Sequence, residues 1–192
     1  MIIKGSLLNT TGHHTCINKG GDRSILENAP FYAKKNKKGV SPFLGEGYYY
    51  WDNNIDQAHH WGLTHYANKY AIIESELSLT SETIFDLVGN RSHQLLFIEL
   101  ANEFSDYNNG KKWEIGRLID FLRIISKEKD FENIFPFLGV RAIDFSRSSE
   151  KQFEFFFVNG SKYHTNLKPC FVICLFELSN VILHTKTLIF KN

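Results

Sequence analysis

The sequence predicts an α+β fold, and three patterns carry that expectation. Residues 70–79 alternate: Ala71, Ile73, Ser75, Leu77 and Leu79 face one way, Ile72, Glu74, Glu76 and Ser78 the other. That is the period of a half-buried strand. Residues 91–128 space their apolar side chains as helices do, with Leu96, Leu100 and Phe104 on one face. After the Asn108-Asn109-Gly110 break, Ile115, Leu118, Ile119, Leu122 and Ile125 keep a second helical face. Phe171–Phe176 is a near-continuous apolar run, as in a central strand buried on both sides. Strands flanking a helical block describe a sheet whose two halves are separated in sequence by a helical insertion.

The length of 192 residues suits one domain with one sizeable core, residues 1–192, with 91–128 as the insertion. An apolar content of 43% is enough to offset the entropy of ordering the chain. Formal net charge is +1, so overall charge points neither toward nor away from nucleic acid. Cys16, Cys170 and Cys174 show no metal-binding spacing and read as reduced, buried thiols, which fits a cytoplasmic protein. Met1-Ile2-Ile3-Lys4 meets a charge and then a glycine at once, unlike a secretory leader. No apolar run approaches the ~18 residues of a membrane span, so no membrane partner is expected.

In chain order, residues 1–8 read as a short strand or lead-in, and Asn9-Thr10-Thr11-Gly12 as a turn. His13-His14-Thr15-Cys16 continues as a strand. Residues 17–43 read as a flexible loop with one or two helical turns at Ser24–Ala29 and a basic run, Lys34–Lys38. Asn54 is the N-cap of a helix over 55–69, with Ile55, Ala58 and Trp61 on its inner face. His59, His60 and His65 lie on that helix without the spacing and carboxylate of a zinc site, so no metal is expected. Glu74 and Glu76 are expected in solvent. Phe131–Phe137, Val140–Phe145, Gln152–Val158 and Val181–Phe190 read as further strands.

The most informative stretch is Phe43-Leu44-Gly45-Glu46-Gly47-Tyr48-Tyr49-Tyr50-Trp51-Asp52. Two glycines let the backbone adopt unusual conformations and admit another group close to it. Strand alternation then sends Tyr48 and Tyr50 to one face, and Tyr49 and Trp51 to the other. One face can bury its rings while the other offers an aromatic surface to a ligand.

Taken with Ala58, this stretch resembles the Gly-x-Gly-x-Tyr-Phe…Ala segment of ADP-ribosyltransferases, in the His-Tyr-Glu branch of diphtheria toxin and the poly(ADP-ribose) polymerases. The earlier His13-His14-Thr15 resembles that family's His-Gly-Thr/Ser strand, in the same order and at a similar separation. The resemblance implies two antiparallel sheets meeting at an NAD cleft. It implies that Tyr49 stacks on the nicotinamide, and that a histidine and Thr15 hydrogen-bond the adenosine-side ribose and the carboxamide; register makes His13 that histidine and a catalytic residue, and His14, standing where the family often has glycine, leaves the choice between them open. Gly45, Gly47, Tyr48 and Trp61 complete the implied NAD-binding set.

The implied activity is NAD-dependent mono-ADP-ribosyl transfer to a macromolecule, protein or nucleic acid. A small chain of this kind resembles bacterial or phage toxins and antiphage defence effectors, for which an antitoxin is an expected partner. The alternatives are an NAD glycohydrolase and an inactive NAD-binding module. Breaking the nicotinamide–ribose bond builds positive charge on the ribose, so a late carboxylate is needed nearby. The family's acid would stand at Cys170, just before Phe171–Phe176, where this chain has none. Glu154, two residues after Gln152, is the chosen substitute, with Glu150 and Glu177 as further options. Arg147 and the Lys34–Lys38 run would favour a nucleic-acid acceptor.

Overall fold

The computed structural model describes residues 7–144, 154–158 and 164–192. It is an α+β arrangement of one large mixed sheet, one small sheet and four α-helices. The strands are β1 (Leu7–Ile17), β2 (Tyr32–Ala33), β3 (Gly47–Asp52), β4 (Tyr70–Thr80), β5 (Ile84–Asp86), β6 (Gly139–Ile143), β7 (Glu154–Phe156), β8 (His164–Asn166), β9 (Phe171–Leu175) and β10 (Thr187–Lys191). The helices are α1 (Gly21–Asn28), α2 (Ile55–His65), α3 (Arg91–Glu103) and α4 (Ile115–Ile125).

The large sheet runs β10-β4-β1-β3-β9-β6-β5, with β2 paired to β3, and β7-β8 forms the small sheet. All pairings are antiparallel except β5 with β6. The two antiparallel sheets expected from the resemblance are therefore continuous here, and one pair is parallel. The junction is narrow. β1 and β3 register only at Gly12↔Asp52 and His13↔Trp51, whereas β1 and β4 register from Leu7↔Thr80 to Ile17↔Tyr70.

Both faces of the sheet are covered near its middle. Ala71 and Ile73 of β4 pack with Ile25 of α1, while Tyr70 and Ile72 pack with Ala58 of α2. This is why residues 70–73 are buried throughout, although 70–79 alternate in sequence. The run in β9 divides likewise. Val172 and Cys174 face Leu118, Ile119 and Leu122 of α4, and Ile173 and Leu175 face Tyr50 and Leu77. The helical block falls between β5 and β6, as its sequence position implies.

Several local expectations fail for identifiable reasons. Asn9–Gly12 lies inside β1, where a Cβ on Gly12 would sit 2.7 Å from Leu77 and 2.9 Å from Tyr50. Its glycine answers close packing, not a turn. Residues 17–43 hold α1 and β2 and are pinned by side chains rather than forming one long loop. Phe131–Phe137 forms a 3-10 turn and irregular chain; its rings Phe135 and Phe137 pack on Phe85. The final strand starts at Thr187, and Ile55 is exposed at the start of α2. Asn54 caps α2 as expected, accepting from the Gln57 N–H at 3.2 Å. Among the described residues, no helix is long and apolar enough to cross a membrane.

Candidate functional site

Beyond His13↔Trp51, β1 stays with β4 and β3 stays with β9, so the two strands part. A cavity of about 600 Å³ opens at the parting. His14, Thr15, Cys16 and Ile17 form one wall, and Tyr49, Tyr50 and Trp51 the other. Phe31, Tyr32, Phe43, Trp61, Tyr66, Asp144 and Val172 also line the cavity. A concave space with many aromatic walls and few polar groups is the usual form of a small-molecule site.

His14 crosses the gap. Its Nδ1 lies 2.9 Å from the Tyr49 carbonyl oxygen, and its Nε2 lies 3.1 Å from the Phe31 nitrogen. The Phe31 N–H must donate, so Nε2 accepts and the proton resides on Nδ1. Burial holds this imidazole near a pKa of about 4, partly countered by its bond to the Tyr49 carbonyl. His14 is therefore neutral at pH 7 and joins β1, β3 and the chain entering β2.

A pH effect follows. The unfolded chain takes up the His14 proton below about 6.5 and the folded chain only near 4. The folded state is thus disfavoured as pH falls through that window, by on the order of 3 kcal/mol at its lower end. Urea midpoints at pH 7 and 4.5 should separate more for the wild type than for His14→Gln, which keeps a donor and an acceptor. Identical pH dependence in the two proteins would contradict this account of His14.

Tyr49 is fixed by its own loop. Its hydroxyl accepts from the Leu44 N–H at 2.8 Å and donates to the Gly45 carbonyl at 2.7 Å. Burial pushes this hydroxyl far above the ordinary tyrosine range, so it stays protonated. The loop itself is held by Asp120 of α4, a buried carboxylate that accepts from Ser41 Oγ and the Glu46 N–H, each at 2.8 Å. Arg123 donates to the Glu46 carbonyl at 2.7 Å, and Lys35 Nζ lies 3.7 Å from Asp120. Thr15 Oγ1 donates to the Ala58 carbonyl at 2.8 Å and ties β1 to α2. Trp61 stacks on His65 at 3.6 Å and lies 5.9 Å from Trp51, ring to ring.

The structure thus brings His14, Thr15, Tyr49 and Trp61 to one cavity, and it corrects other assignments. His13 alternates to the opposite side of β1, where its Nε2 lies 3.3 Å from Glu74 Oε2. It does not line the cavity. Tyr48 also lies off the cavity and meets Tyr32 edge-on at 5.1 Å. Gly45 has φ +86, and a Cβ there would sit 2.6 Å from Asp120 Oδ1. A Cβ on Gly47 would sit 2.5 Å from Cys174 Sγ and 2.6 Å from the Leu175 carbonyl. Both glycines admit the protein's own chain rather than a ligand.

Glu154 heads β7 in the small sheet and does not line the cavity. Glu177 is exposed and also lies off it. Arg147, Glu150 and Gln152 lie outside the described residues. Among the described residues, the acid that lines the cavity is Asp144; it follows β6, and its N–H donates to the Cys170 carbonyl at 2.8 Å. The sequence signal for it is the pair of apolar runs at 140–145 and 170–176: laid antiparallel, they set Asp144 beside Cys170. The cysteines are buried thiols, and burial pushes Cys16 to about 11 and Cys174 to about 12.

No family model matches this chain, and no similar protein was found among curated proteins or solved structures.

Proposed function

We propose that the cavity binds NAD and that the protein transfers ADP-ribose from it to a macromolecule. One observation carries the reading: His14, Thr15 and Tyr49 meet at one aromatic cavity where β1 and β3 part. Those are residues of the two motifs that resemble the His-Tyr-Glu ADP-ribosyltransferases. On this reading the nicotinamide lies against the Tyr49 ring, whose hydroxyl is already satisfied by Leu44 and Gly45. Aromatic packing of that kind holds a planar ring without demanding a polar partner.

The bond between nicotinamide nitrogen and ribose C1′ breaks, and its electron pair returns to the pyridinium ring. Orientation and exclusion of water supply most of what a protein can add to that step. The exposed Lys34–Lys38 run follows directly on Tyr32 and Ala33, which line the cavity, and is a source of positive charge for the pyrophosphate or for a phosphate-bearing acceptor.

The test is incubation with NAD labelled in its adenylate phosphate, together with a cell lysate. The label is expected on macromolecules, and digestion with protease or nuclease identifies the acceptor. Nicotinamide release with no labelled macromolecule would make the protein an NAD glycohydrolase instead. Unchanged NAD would remove the enzymatic reading.

A further inference from the structure

Resting on the NAD reading above, we infer that Asp144 is the carboxylate that faces the reacting ribose. Two features of the cavity point to it. The first is charge. Among the described residues that line the cavity, Asp144 alone carries a carboxylate. The rest of the described lining offers no other negative group: His14 is a neutral imidazole, the Tyr49 hydroxyl stays protonated, and the remainder is mainly aromatic or aliphatic. A carboxylate set beside mainly apolar walls can act on a charge developing in the cavity more strongly than one in bulk water.

The second feature is position. β6 and β9 pair antiparallel, with Ala142 opposite Val172 and Ile143 opposite Phe171. The Asp144 N–H to Cys170 carbonyl bond continues that ladder by one residue. Val172 on the same ladder lines the cavity too. β9 itself supplies no acid at its head, where Cys170 stands; the acid that lines the cavity comes from the end of β6, the strand beside it. The backbone there is held by a ladder bond, which fixes the acid's origin independently of its side chain.

The chemistry needs one negative group and nothing further. The C1′–nitrogen bond of the oxidised nicotinamide glycoside breaks, and both electrons go to the departing ring, which leaves neutral. C1′ and the ribose ring oxygen share the resulting positive charge, which the Asp144 carboxylate offsets. The acceptor's nucleophile then bonds to C1′, and its proton passes to bulk water. No redox partner or metal enters this balance.

The experiment measures nicotinamide release and NAD affinity, by calorimetry, on wild type, Asp144→Asn, Asp144→Glu and Glu154→Gln. Asp144→Asn should lose at least ~10²-fold in kcat with NAD affinity within ~3-fold of wild type. Asp144→Glu should recover part of the loss, which a merely structural role would not require. Should Asp144→Asn fail to fold by circular dichroism, Asp144→Ser carries the same comparison. Wild-type turnover in folded Asp144→Asn would overturn the inference and leave the NAD site standing; loss of turnover in Glu154→Gln instead would return the role to Glu154. A wild-type protein that neither binds nor cleaves NAD would overturn the NAD reading and this assignment together.

Discussion

Tyr49→Ala is expected to cut NAD turnover at least ~10²-fold, because the ring that positions the nicotinamide is lost. The same change releases the Leu44 N–H and Gly45 carbonyl from the Tyr49 hydroxyl. Each lost bond costs about 1 kcal/mol of loop stability. Tyr49→Phe separates the two contributions. It removes both hydrogen bonds and keeps the ring, so its turnover should stay within ~10-fold of wild type if ring packing carries the effect. Circular dichroism and thermal melting check that both variants fold. Full turnover in folded Tyr49→Ala would take Tyr49 out of the site.

The largest loss of stability should come from Asp52→Ala. Asp52 ends β3 at its last registered pair with β1, opposite Gly12. Its buried carboxylate accepts from Thr10 of β1 and from Arg141 Nε of β6 at 2.6 Å. Arg141 also reaches Asp86 of β5 at 3.4 Å and lies over the Phe171 ring at 4.7 Å. One carboxylate therefore joins strands on both sides of β9 at the closed end of the cleft. Its removal leaves a mostly buried guanidinium with the longer contact to Asp86 and the face of the Phe171 ring, and no closer carboxylate among the described residues. Such a loss costs about 3–5 kcal/mol, a large share of an ordinary domain's stability. Urea denaturation at pH 7 measures it. A change below about 1 kcal/mol would show that the bridge is not what closes this end of the sheet.

How much of the fold and of the candidate site is legible in the sequence depends on range. The β4 alternation, the β9 apolar run, the α2 cap at Asn54 and the paired helices are local signals, and each of them appears in the fold. Gly12 misleads because a glycine inside a strand, placed there by Leu77 and Tyr50, has the same letter as a glycine in a turn. Gly45 and Gly47 mislead similarly, since their close neighbours Asp120 and Cys174 are far away in sequence. The choice between His13 and His14 turns on which face of β1 meets the cavity, and that is set by the parting of β1 from β3. Glu154 follows from linear spacing along the chain. Asp144 emerges only when β6 is laid beside β9, a long-range pairing that neither run specifies by itself.

The most direct test of the central claim is calorimetric titration of the purified protein with NAD, beside a variant that fills the cavity, Val172→Trp. Saturable binding of one NAD per chain, lost in a Val172→Trp protein that still folds, is the predicted result. No saturable binding to the wild type, or equal binding to the filled variant, would contradict an NAD site between β1 and β3.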